Sequence, residues 1–130
     1  MSLKDLENNH MMAHLTQALE DGKDIGHYGR LVYAIVARHF LSDDELVSQL
    51  AKDKDFAEAD ARGLVQQVQE RDYSPPGRAK IMEYQEKQDF PIIPGTQDPD
   101  EGNVYRDLDF PQEVYDHINE YHHQKAEDSA

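Results

Sequence analysis

Residues 26–41, "GHYGRLVYAIVARHFL", constrain the fold more than any other stretch, because Leu31, Val32, Ala34, Ile35, Val36 and Phe40 put apolar side chains on nearly every side of a helix. A helix that is apolar all round belongs in the middle of its domain. The spacing therefore predicts a central helix from about Gly29 to Leu41, with other helices packed around it.

The rest of the chain supplies those neighbours. Residues 5–21, "DLENNHMMAHLTQALED", place Leu6, Met11, Leu15, Ala18 and Leu19 at three- and four-residue spacings and read as one amphipathic helix ended by Gly22. Ser42 followed by Glu45 is a capping-box pattern that predicts a helix start. Asp55 and Glu58 repeat that device ahead of Ala61, Leu64, Val65 and Val68. Ser74 as cap and Pro75 in the first turn open a fifth helix. Residues 90–110, rich in Pro, Gly and Asp, read as a long irregular loop. Pro111 then starts a last helix carrying Val114, Tyr115, Ile118 and Tyr121, before a polar tail over 122–130. No strand alternation and no internal repeat is evident. The expectation is an all-α bundle of about five or six helices, one domain over residues 1–130 with its core over about 5–121.

A chain of 130 residues can bury roughly two thirds of the surface its unfolded form exposes, so a core is feasible without staples. The absence of cysteine excludes disulfides, thiolate metal sites and a cysteine nucleophile. No window reaches the length of a membrane span, and "MSLKDLENNH" has no apolar signal region, so a cytoplasmic location and no membrane partner are expected. With 27 acidic against 13 basic residues, non-specific binding to polyanions is disfavoured, and any contact with nucleic acid must be local. The same acidity is compatible with a salt-loving host.

Two stretches could carry chemistry. In "GHYGR", His27 and Arg30 lie one helical turn apart; with helix N-terminal amides they could converge on a phosphate. On spacing alone the pair reads more readily as a helix cap and an arginine paired to one of the many acids. In "RDYSPPGRAK", Tyr73 adjoins a diproline turn followed by Arg78 and Lys80, a composition that stacks a base and holds a phosphate, or else an ordinary helix start over a buried tyrosine. His10 and His14 stand at i, i+4, without the glutamate of a metalloprotease motif, and no metal or other cofactor is expected. No phosphate loop, nucleophile elbow or other catalytic signature is present, so an enzyme is the weakest reading.

Read together, "IGHYGRLVYAIVARHFLSDDELVSQLAKDKDFAEADARGLVQQV" and "RDYSPPGRAKIMEY" resemble the C-terminal domain of the archaeal and eukaryotic DNA primase large subunit. The resemblance runs from about Met11 to Tyr84 and rests on the order of several modest motifs. It implies a helical, non-catalytic accessory domain that binds a primer–template junction, a nucleic-acid end or a nucleotide triphosphate and works beside a catalytic primase subunit. It also implies His27 and Arg30 as phosphate ligands and Tyr33 and Tyr73 as aromatics in the same neighbourhood, to which the basic residues Arg38, Arg78 and Lys80 add as expected flanking cations. The family domain is built on a four-iron, four-sulfur cluster held by four cysteines. This chain has none, so Met11, Met12, Ile92, Ile93 and Val104 are expected to pack where the cluster would be. The competing expectation is an acidic protein-interaction module that keeps the scaffold without binding nucleic acid.

Overall fold

In the computed structural model, which describes residues 2–95 and 100–118, the helices are α1 (Leu3–Leu6), α2 (His10–Glu20), α3 (Gly26–Ala37), α4 (Asp43–Leu50), α5 (Glu58–Glu70), α6 (Arg78–Glu86), α7 (Val104–Asp107) and α8 (112–118). No strand occurs among the described residues, and no described helix is long and apolar enough to cross a membrane. The fold is all-α. Tyr121 and the polar tail lie outside the described residues.

The apolar stretch becomes the centre, as its pattern requires. Val32, Tyr33, Ala34, Val36 and Ala37 have no exposed surface, and α3 packs against α2, α4, α5 and α6. It begins at Gly26 and ends at Ala37, slightly earlier at both ends than the apolar pattern suggests. Met11, Met12, Ile92, Ile93 and Val104 are buried in the same core as α3.

Local chemistry sets the ends of the surrounding helices, and not always where the sequence pattern puts them. The stretch read as one helix over 5–21 divides at Asn9, whose side chain accepts from the Met12 N–H at 3.0 Å and donates to Asp107 of α7 at 3.0 Å. An asparagine gains more as a cap than inside a helix, and here it also ties α2 to α7. Gly22 does end α2, at φ +71, with its own N–H on the Leu19 carbonyl and that of Lys23 on the Ala18 carbonyl. The α4 capping box forms as read: the Glu45 N–H donates to Ser42 Oγ at 3.2 Å, and the Ser42 N–H donates to Glu45 at 3.1 Å.

Two helix starts move. At α5 the closing carboxylate is Asp60, which accepts from the Ala57 N–H at 3.2 Å. At α6, Ser74 does not cap. Both Ser74 and Pro75 precede a proline and are held out of the helical region, so the helix waits until Arg78, behind Gly77. Pro75 is buried, and its carbonyl accepts the Tyr105 hydroxyl hydrogen bond from the far loop. That loop contains α7, started by Asn103, whose side chain accepts from the Tyr105 N–H at 3.1 Å.

One buried carboxylate links the elements around the start of α3. Asp53, in the α4–α5 connection, has no exposed side-chain surface; it accepts the Ile25 N–H at 2.9 Å and the Asp55 N–H at 2.8 Å, and faces Arg30 Nη1 at 3.3 Å. Removing it strands a buried N–H and leaves a mostly buried guanidinium with only the half-exposed Asp24 as countercharge. Asp53→Ala is therefore expected to lower unfolding free energy by about 3 kcal/mol, read from urea denaturation. A loss below roughly 1 kcal/mol would contradict this account of the loop.

Candidate nucleic-acid interface

At the start of α3, the protein's own groups fill the place proposed for a phosphate. Gln88 Oε1 accepts from the Tyr28 and Gly29 N–H groups at 2.9 and 3.2 Å, and its Nε2 donates to the Ile25 and Phe90 carbonyls, both at 2.9 Å. The Gly26 N–H donates to Asp24 at 2.8 Å. Gly26 sits at φ +81, where a Cβ would lie 2.5 Å from Gln88 Oε1. Arg30 is spent as well: Nη1 meets Asp24 at 3.1 Å in addition to Asp53, and its guanidinium lies 4.6 Å from the centre of the Phe56 ring. In this conformation Arg30 is a tie between loops, and the helix amides are already capped.

The other proposed residues separate. Tyr33 is wholly buried, with its hydroxyl 3.1 Å from Thr16 Oγ1, so no base can stack on it. Burial pushes its phenol up, against the opposing hydrogen bond from Thr16. Arg38, eight positions beyond Arg30 and so about 12 Å further along the axis, donates through Nη2 to Asp72 at 2.8 Å and to the Tyr73 carbonyl at 2.9 Å. Asp72 takes φ +48 and ends α5, with its N–H on the Gln69 carbonyl and that of Tyr73 on the Val68 carbonyl. Tyr73 is half-buried against the core. Arg78 is exposed and donates from Nε to the Glu101 carbonyl at 3.0 Å.

His27 and Lys80 each border one ring of a tyrosine pair that the sequence reading passed over. Tyr28 and Tyr84 stack, with centroids 4.9 Å apart and planes 16° from parallel. Lys80 Nζ lies 5.4 Å from the Tyr84 centroid, Lys87 Nζ lies 5.7 Å from the Tyr28 centroid, and His27 meets Tyr28 edge-on at 5.0 Å. Lys80 also faces Glu83 at 3.4 Å, an exposed pair of little energetic weight. A signal for this face was present: Lys80, Tyr84 and Lys87 stand at i, i+4 and i+7, on one side of α6 and its C-terminal turn. Such a face can hold polyanion phosphates, its ammonium groups resting on aromatic rings.

The histidine pair of α2 does different work. His14 Nε2 lies 2.8 Å from the Pro91 carbonyl and its ring stacks on Phe90, while His10 faces Glu101 at 3.7 Å. His39, just beyond α3, lies edge-on to Phe110 at 5.6 Å. Burial, aided by Arg38 and opposed by Asp72, pushes its imidazole down to about 4.

The chain matches no protein-family model, no curated protein and no solved structure.

Two outcomes follow from this geometry. Gly26→Ala strains a left-handed residue and drives a Cβ into an amide held by four hydrogen bonds; it should cost at least about 2 kcal/mol in denaturant unfolding. The second concerns acid. Between the ordinary histidine value of 6.5 and about 4, the unfolded chain takes up a proton that folded His39 refuses. Its contribution to stability is complete above pH 6.5 and declines as the pH falls toward 4. Thermal unfolding of His39→Gln should show a shallower loss across that window than the unsubstituted protein; equal slopes would remove His39 as the cause.

Proposed function

We propose that this chain is a cluster-free accessory domain of the primase large-subunit type, which holds a nucleic-acid end or primer–template junction through the face formed by His27, Tyr28, Lys80, Tyr84 and Lys87. The observation that carries the reading is the stacked tyrosine pair with a lysine ammonium close to each ring. The five apolar residues expected in place of the cluster are buried in one core, which supports a scaffold able to stand without metal. The ligand phosphates bind to Lys80 and Lys87, while Arg30 and Arg38 keep the platform rigid. A catalytic primase subunit is the partner this role calls for.

A second reading, an acidic interaction module for a basic protein, is favoured by a specific observation: Arg30 and Arg38 are neutralised by carboxylates, while Asp43, Asp44 and Glu45 stand exposed at the start of α4.

Fluorescence anisotropy with a labelled primer–template junction bearing a 5′ triphosphate separates the two. Saturable binding is expected. Its dependence of log affinity on log salt should lose about two units of slope in the Lys80→Ala/Lys87→Ala double variant. Absence of binding at every salt concentration where circular dichroism shows a folded protein would overturn the nucleic-acid reading in favour of the interaction module.

A further inference from the structure

A different cleft lies at the other end of α3, about 17 Å along the helix from His27 and formed between the α5–α6 turn and the start of α8. Arg38, Asp72, Ser74, Glu113, Val114 and His117 line it, and its volume is about 160 Å³. That is well below the roughly 300 Å³ at which pockets begin to take drug-sized molecules, so the space suits a small metabolite rather than a nucleotide.

Its donors are not exhausted by the fold. Arg38 uses only Nη2 in its bonds to Asp72 and Tyr73; among the described residues its Nη1 has no partner, and its buried Nε has none either. His39 also lines the cleft, and its Nε2 is buried without a hydrogen-bond partner. The Ser74 hydroxyl makes no hydrogen bond to another described residue. Two carboxylates share the lining with these donors, one of them, Asp72, being itself the partner of Arg38 Nη2. Asp72 is held below its ordinary range first by the Arg38 hydrogen bond, with His117 and His39 near enough to add to the effect. Glu113 is exposed at the rim.

This distribution selects the charge of an occupant. A simple anion drawn to the guanidinium would lie against Asp72 and Glu113. A simple cation drawn to those carboxylates would lie against Arg38. A molecule that carries both charges a few bonds apart meets neither penalty, and Pro111 and Val114 offer an apolar wall to a short side chain. We infer that this cleft is a binding site for a small zwitterion of the α-amino-acid class, with its carboxylate on Arg38 Nη1 and Ser74 and its ammonium on Glu113 and Asp72. The site is independent of the nucleic-acid face and of any activity assigned to it.

The test is a titration followed by the imidazole NMR signals of His39 and His117 at constant pH 7.5 and ionic strength, with serine as the probe and acetate and methylammonium as its two single-charge halves. Serine is expected to move both signals saturably, while neither half does so in the same concentration range. Glu113→Gln changes an exposed side chain at the rim; it should leave the circular dichroism spectrum unchanged and weaken serine binding at least about tenfold, as loss of a hydrogen bond to a charged group implies. Equal saturation by acetate would show a plain anion site and overturn the inference. So would the absence of any saturable shift, or serine binding that Glu113→Gln leaves unaltered.

Discussion

The carboxylate of Asp53 is the contact on which the arrangement around α3 depends. A buried charge is tolerated only when donors and a countercharge surround it. Asp53 finds the Ile25 and Asp55 N–H groups and Arg30. Those bonds join the α2–α3 connection, α3 itself and the α4–α5 connection at one point. Gln88 adds the connection after α6 by bonding both sides of the same helix start. The first turn of α3 is thus held by residues 23 to 63 positions away in sequence, which leaves it little freedom to rearrange around a ligand.

A consequence for function follows from the excess of acid. Arg30, Arg38, Arg62 and Arg106 all face carboxylates, so the guanidinium groups, with their planar forks and weak hydration, serve mainly as internal ties. Lysine presents positive charge outward, as the exposed Arg71 and Arg78 also do. On α6 it does so with aromatic support, and that division places the candidate interface on a face where Lys80 and Lys87 supply the charge. The cleft beside Arg38 is the complementary case: an arginine already bound to an acid still has a nitrogen to offer, in surroundings that hold both signs of charge.

Much of this was legible from residue order. The central helix followed from an apolar pattern that no surface helix could carry, and the capping box of α4 followed from two residues three apart. Gly22 marked the end of α2 because few other residues accept its backbone angle. The helix starts at Asn9 and Arg78 were harder to read, since one depends on a bond to α7 and the other on the way consecutive prolines restrict the residues before them. Tyr28 was missed because it joins the Lys80, Tyr84 and Lys87 spacing of α6 only when α3 and α6 are brought side by side.

Sequence alone determined the all-α class and the identity of the central helix, because periodicity and caps act locally, and the lack of cysteine ruled out thiolate ligands and disulfides by exclusion. Tertiary structure decided what each charged side chain does. His27 and Arg30 are three residues apart, yet one is exposed beside a tyrosine stack and the other is closed between two aspartates. Charge roles depend on which partners lie within hydrogen-bond reach and how much water remains, and both are properties of distant segments brought together by the packing of the core.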